Sequence, residues 1–384
     1  MRAALEILFW VAIALILWTQ AGYGAALWLA ALLRRRWLAQ PPPRPAPAEP
    51  RALSLIIAAH DEQGVIEQRV RNALALDYPR ERLEVIVACD GCTDRTAELA
   101  RAAGADLVLE LPRGGKIRAQ DAAVERARGE IVAFSDANAV WEPDAAARLV
   151  DAFVDPRVGY ACGRVAYLAG SGADGNQEGL YWRYELMLRG LESRLSSITG
   201  GNGAIYALRR DSYIVVDPVM GHDLSLPFNI VKRGLRALYV PAALSREKMV
   251  PSLGGEFQRK RRMMSHTWPI VLRGGMLSPR GYPPGYALMI LSHRLLRYLT
   301  PALHALALAL NIALLALGAG ALYEVTLALQ LALLAAAALA GLLPTRAMLL
   351  ARYYVLTTAS PAAGLWDWLR HGTSASWEAA EGTR

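Results

Sequence analysis

Cysteine is scarce in this chain: 384 residues hold three, Cys89, Cys92 and Cys162. Three thiols cannot build a disulfide framework, which fits a reducing compartment. Cys89-Asp-Gly-Cys92 has redox or zinc-knuckle spacing, but zinc would need a second pair and the chain has none. The pair reads instead as two small residues packing a strand end and its turn. Charge is missing from long tracts. Residues 7–33 carry no charged side chain, 325–343 carry no ionisable group, and 299–323 hold only His304. A continuous basic face is also lacking. The formal charge is +8, yet the basic residues lie mainly beside the apolar tracts, which suits a membrane surface better than a nucleic-acid groove. No nucleic-acid partner is expected, and no internal repeat is evident.

What is present follows from those gaps. Hydrophobic residues make up 54% of the chain and mean hydropathy is +0.21, with the surplus at the two ends. At 1.5 Å per residue, residues 7–33 would extend about 40 Å, enough to cross a bilayer with tilt. A cleaved signal peptide would have a shorter apolar core. Arg34-Arg35-Arg36 follows directly, so the positive-inside rule places that end in the cytoplasm. Residues 1–36 are expected to form a transmembrane helix and the Pro-rich 37–50 a stiff linker. Residues 51–250 form the catalytic domain. Residues 251–298, with the basic run Gln258-Arg-Lys-Arg-Arg262, suit interfacial helices. Two further spans are expected over 299–343, with Glu324 marking the outer hairpin. Residues 344–384 read as a re-entrant or interfacial segment and a cytoplasmic tail. The expected location is the inner (plasma) membrane, multi-pass, with the catalytic domain cytoplasmic.

Within 51–250, three short apolar runs stop at acidic residues. Leu53–Ala59 leads into His60-Asp61-Glu62, Leu83–Cys89 into Asp90-Gly91, and Glu130–Ser135 into Asp136-Ala137-Asn138. Such runs suit strands buried on both faces. Helical patterns over 65–75, 93–103 and 117–128 separate them, so βαβ units and a mostly parallel sheet are expected, an α/β fold. Ligands of such sheets bind beyond the carboxyl ends of the strands. Three acidic clusters therefore point at one pocket. Asp136 and Asn138 place a carboxylate and an amide oxygen two residues apart, which suits Mg²⁺ or Mn²⁺ shared with substrate phosphates. Gly114-Gly115-Lys116 offers backbone N–H groups and a cation to a pyrophosphate at a helix start, although it is not a P-loop.

The motifs Ala58-Ala-His-Asp-Glu62, Ala88-Cys-Asp-Gly-Cys-Thr-Asp94, Gly115-Lys116, Ser135-Asp-Ala-Asn138, Gly201-Asn-Gly203, His222-Asp223 and Gln258-Arg-Lys-Arg261 carry a resemblance. In this order the chain resembles the membrane-anchored, inverting family 2 glycosyltransferases of the GT-A fold, related to polysaccharide synthases and lipid glycosyltransferases. The resemblance covers roughly residues 51–268. It implies a donor pocket of Ala59, Asp61, Glu62, Asp90, Gly91, Lys116 and Asp136, with Glu62 and Asp90 at the base and ribose and Lys116 by the diphosphate. It implies a divalent cation at Asp136, within the family's Asp-X-Asp. Asp223 would be the general base, with Gln258 and Arg261 matching the Gln-X-X-Arg-Trp element. Gly201, Asn202, Gly203 and His222 would lie on the acceptor side.

Three positions depart from the pattern. Asn138 replaces the second acid of Asp-X-Asp and removes one charge. His222 stands where an acidic neighbour of the base is common. Arg262 occupies the Trp position, which weakens the case for processive synthesis. The bottom-up chemistry agrees with transfer: displacing a nucleoside diphosphate needs a cation for the leaving group and a carboxylate to activate the nucleophile. For Asp223 a helix N-cap role stays open. The expected activity is transfer from a nucleotide-diphosphate sugar, a UDP-sugar, to a lipid or membrane-associated glycan. Alternatives are a processive exopolysaccharide synthase and a non-catalytic nucleotide-sugar-binding subunit.

Overall fold

The computed structural model describes residues 1–37, 49–168, 175–248 and 253–375. The Pro-rich linker at 37–50 lies almost wholly outside the described residues. Eight strands form one sheet: β1 Leu53–Ala59, β2 Leu83–Asp90, β3 Leu107–Leu111, β4 Ile131–Asp136, β5 Val140–Trp141, β6 Val158–Leu168, β7 Tyr206–Arg209 and β8 Arg236–Lys248. Their order is β3-β2-β1-β4-β7-β6-β8-β5. The first four are parallel; β7 runs antiparallel to β4 and β6, while β8 runs parallel to β6 and antiparallel to β5. Every residue of β1 and β2 is buried, as their apolar runs require.

Alternation along the strands assigns two cores. Leu55 and Ile57 of β1 face one layer with Ile66, Val70 and Phe153. Ile56 of β1 and Ile86 and Ala88 of β2 face the other with Ala119, Tyr206, Phe228, Trp268 and Tyr286. This second layer also takes Tyr23 and Leu27 from the N-terminal helices, so the apolar end of the chain docks onto the sheet's own core. A buried polar cluster strengthens the joint. Tyr23 donates to Glu192 at 2.6 Å, and His293 Nδ1 lies 2.7 Å from the same carboxylate.

Helix ends differ from expectation where proline and glycine intervene. The helix that carries Asp223 runs His222–Lys232 and is capped by Gly221 rather than by Asp223 itself. Its Pro227 has no N–H, so the carbonyl of Asp223 four residues back has no helical donor. The Gly201 amide takes it at 2.6 Å. Pro269 acts similarly within helix Leu253–Leu272: the freed Ser265 carbonyl accepts from Thr373 Oγ1 at 2.9 Å. The hairpin expected at Glu324 turns earlier, where Gly318 and Gly320 have φ of 70° and 89°. Glu324 instead lies in the first turn of helix Ala321–Leu339, where a carboxylate favours the helix dipole.

Two helical stretches, Arg2–Arg34 and Ala321–Leu339, are long and apolar enough to cross a membrane, and Pro284–Tyr298 with Thr300–Ala316 forms a pair bent by 62°. Residues read as re-entrant or interfacial form one continuous helix, Arg346–His371, lying against Leu253–Leu272. Trp268 Nε1 donates to the Pro361 carbonyl at 2.9 Å across that contact.

Candidate active site

The parallel register sets Ala58 opposite both Ala88 and Asp136, so β1, β2 and β4 deliver their acidic ends to one edge. Asp90 is buried, and its oxygens accept the Gly114 and Gly115 amides at 2.6 and 3.0 Å. It thereby shapes the turn that opens helix Lys116–Arg126, with Gly115 at φ 95°. The Ala375 carbonyl lies hard against Gly115, so the C-terminal segment reaches this loop. Asp61 has φ 50°, an unfavourable value for a non-glycine residue, and accepts the Thr93 amide at 2.7 Å. The amide of Glu62 donates to Thr96 Oγ1 at 2.8 Å, and Glu62 is buried. Ala59 is buried, its carbonyl facing the Cys92 thiol at 3.5 Å.

His60, Asp61 and Cys92 bring ligand atoms within 4.8 Å of one another. Their mixed donor set suits a transition metal rather than Mg²⁺. Each is already engaged locally, His60 Nδ1 lying 2.7 Å from the Asp90 carbonyl. Burial and the neighbouring Cys89 thiol act together at this turn: Cys89 is pushed up and Cys92 down by their mutual hydrogen bond.

At the end of β4, Lys116 Nζ makes an ion pair with Asp136 Oδ1. A Cβ on Gly203 would sit 3.3 Å from Lys116 Nζ and 3.8 Å from Asp136 Oδ2, so the 201–203 loop closes over that pair. Asn202 holds the loop: Oδ1 accepts the Ala204 and Ile205 amides at 3.1 and 2.9 Å, and Nδ2 donates to the Gly163 carbonyl at 2.8 Å. A Cβ on Gly201 would run into the Tyr160 hydroxyl.

Asp136 and Asp223 line a single cavity of about 570 Å³ together with Gly200–Ala204, Glu247 and residues of the helices that follow. Asp223 occupies the first helical turn behind the cap residue Gly221. Burial pushes its carboxyl up, against the opposing pull of Lys116. His222 is turned elsewhere. It is buried between the hydroxyls of Tyr206 and Tyr213, at 3.0 and 3.3 Å, and desolvation pushes it down to about 3, so it is neutral.

Gln258 is exposed and outside the cavity lining. Arg261 makes a two-pronged pair with Asp367, both contacts 2.5 Å. The cavity is faced instead by Arg259, Lys260, Met263 and Thr267 of the same helix. Asn138 is partly exposed and does not line the cavity.

Two cavity residues had no motif to announce them. Arg189 is 6% exposed; its Nη2 donates to the Gly201 carbonyl at 3.0 Å, and its Nη1 has no hydrogen-bond partner among the described residues. Glu247 lies near the end of β8, its Oε1 buried and without a hydrogen-bond partner among the described residues. Burial, then the Asp136 charge, pushes its carboxyl up to about 8. A lone Glu in an amphipathic-looking strand gives no sequence signal for such a place.

The model of the family described as Glycosyl transferase family 2 matches residues 54–215. That span is a family 2 glycosyltransferase domain. The chain is 24% identical over 234 residues to the poly-beta-1,6-N-acetyl-D-glucosamine synthase of Staphylococcus aureus, 58% of this chain and 56% of that protein. It is 33% identical over 119 residues to the beta-monoglucosyldiacylglycerol synthase of Synechocystis, 27% of this chain and 23% of that protein. The matched part is thus about half or less of these relatives' length. Among solved structures, the mannosyltransferase PcManGT of Pyrobaculum calidifontis, in complex with GDP-Man and Mn²⁺, superposes with a TM-score of 0.68 at 24% identity. The match covers 94% of this chain and 99% of that one. The fold is GT-A, and the glycosyltransferase resemblance carried by the sequence motifs holds.

Proposed function

We propose that this glycosyltransferase moves a sugar, with inversion, from a nucleotide-diphosphate sugar to a lipid or membrane-associated glycan at the cytoplasmic face of the plasma membrane. One observation carries the reading: Asp136 and Asp223 share one cavity whose far wall comes from the helices beyond residue 253. Lys116, at the start of its helix, would meet the diphosphate, while the Gly114 and Gly115 amides are held by Asp90 and shape that turn. Asp223 takes the proton of the acceptor hydroxyl as that oxygen attacks the anomeric carbon. Its raised affinity for protons suits a base acting near neutrality. The Gly201 amide, bonded to the Asp223 carbonyl, fixes the loop beside it.

The carboxylate of Asp136 fits a hard divalent cation and already lies against a cationic group, Lys116, whereas Asn138 stays outside the cavity lining. A bound Mg²⁺ or Mn²⁺ would neutralise charge on the departing diphosphate. The acceptor reading rests on the cavity's other wall, where Thr300, Tyr353, Tyr354 and Thr357 come from helices next to the apolar ones. Outward-facing Leu322, Val325, Leu329 and Leu331 are 51–66% exposed, as lipid-facing side chains of a multi-pass anchor would be.

A processive synthase is the second reading, favoured by the staphylococcal relative. Membranes containing the chain, incubated with radiolabelled UDP-glucose, UDP-N-acetylglucosamine and GDP-mannose, separate the readings. Label in the lipid extract supports single transfer, and label in high-mass polymer supports processive synthesis. A purified chain that releases no nucleoside diphosphate from any donor would sink both and leave the binding-subunit reading.

A further inference from the structure

The Asp-X-Asn sequence at the end of β4 leaves a cation site one carboxylate short, and the cavity itself supplies another. β8 runs antiparallel to β5 with Val140 opposite Arg246 and Trp141 opposite Ser245. One more step along that register brings Glu247 opposite Ala139, the residue after Asn138. Glu247 and Asp136 both line the cavity, whereas Asn138 does not. Oε1 of Glu247 is buried and lacks a hydrogen-bond partner among the described residues. A buried acceptor without a donor is costly, so such an atom implies a partner that arrives later.

We infer that Glu247 is a ligand of the divalent cation, joining Asp136 from the opposite side of the cavity and restoring the negative charge that Asn138 gave up. The geometry favours a cation over an acceptor hydroxyl as the partner. Glu247 shares the cavity with Asp136, whose ion pair with Lys116 lies beneath the Gly203 loop, the end proposed for the diphosphate. Two carboxylates brought together in a partly dry site repel unless a cation lies between them. A hard cation held by two carboxylates, with the diphosphate completing its shell, matches Mg²⁺ or Mn²⁺ chemistry. This assignment rests on the proposed cation site, and its test separates the two.

The full chain, purified in detergent, is titrated with Mn²⁺ in saturating UDP or GDP while free Mn²⁺ is read by electron paramagnetic resonance. The wild type should bind one Mn²⁺. Glu247→Gln should weaken Mn²⁺ at least about tenfold, the scale of losses from disturbed metal surroundings. Nucleotide affinity without metal should not change. Glu247→Asp keeps the charge and should lie between wild type and Gln, which guards against a folding defect in the Gln variant. Unchanged Mn²⁺ affinity in Glu247→Gln overturns the assignment and leaves the cation site standing on Asp136. No Mn²⁺ binding by the wild type with either nucleotide overturns both.

Discussion

The two walls of the site are held together by different means. On the wall proposed for the donor, the strand-end loops, of whose acids Asp136 alone lines the cavity, backbone amides fix the carboxylates: Asp90 is gripped by Gly114 and Gly115, Asp61 by Thr93. On the other wall the contacts join side chains far apart in the chain, such as Arg261 with Asp367 and Trp268 with the Pro361 carbonyl. Backbone grips depend on chain path and survive most side-chain changes. Side-chain pairs between helices can be exchanged without disturbing the sheet. The donor wall is thus tied side chain to backbone within short loops, and the other wall side chain to distant partner across helices.

The sharpest break between the walls is at Asp223, which belongs to the chemistry but stands beside the acceptor loop. Asp223→Asn should lower kcat by about 10²–10⁴-fold, the usual contribution of a general base. Nucleotide affinity, measured by calorimetry with UDP or GDP, should stay within about twofold because no transition-state contact is tested there. Collapse of nucleotide affinity would move Asp223 to the donor wall.

The pH profile of the wild type offers a related test. A base must be deprotonated, so kcat/KM should fall as pH drops through the Asp223 value. Burial sets that value above the ordinary carboxylate value of about 3.9. His222, buried and neutral, should leave the limb where it is when changed to Gln. A limb that moves with His222→Gln would show that the histidine, not Asp223, titrates.

A smaller effect is expected where the two walls meet. Gly201→Ala would drive a methyl into the Tyr160 hydroxyl, an overpacking cost of about 1–3 kcal/mol. Thermal unfolding should show the loss, and adding Tyr160→Phe should return part of it. If Tyr160→Phe returns nothing, the clash lies with the backbone.

The weakest effect belongs to the far wall. Arg261 and Asp367 have side chains 37% and 23% exposed, so solvent screens their attraction. Arg261→Ala should cost no more than about 1 kcal/mol of stability. Its effect on transfer should appear in acceptor KM, with the donor KM unchanged. A large fall in kcat would return Arg261 to the reacting centre implied by the Gln-X-X-Arg motif.

Much of the donor wall was legible beforehand. Leu53–Ala59 and Leu83–Cys89 are apolar but for Ser54 and Glu84, which pair with each other, because both their faces are covered, so their ends and the acids that follow could be located from pattern alone. The start of the Asp223 helix was not, since an N-cap role for Asp223 itself stayed open. Gly221 is the cap instead, and Pro227 breaks one of the helix's bonds in favour of Gly201. Residues 344–384 read as a re-entrant or interfacial segment and a tail, yet Arg346–His371 is one continuous helix with Pro361 inside it. Packing against helix Leu253–Leu272 and the Trp268 bond to the Pro361 carbonyl hold it there.

By itself the sequence determined the parallel strands, their acidic ends and the apolar termini, because each follows from residues adjacent in the chain and from periodicity. Only the tertiary structure decided which groups share the cavity. It turned His222 toward two tyrosines and Arg261 toward Asp367. It also brought Arg189 and Glu247 to the cavity that holds Asp136 and Asp223. Those meetings depend on strand order and helix packing, over separations from 9 residues for His222 and Tyr213 to 106 for Arg261 and Asp367, which no local pattern encodes.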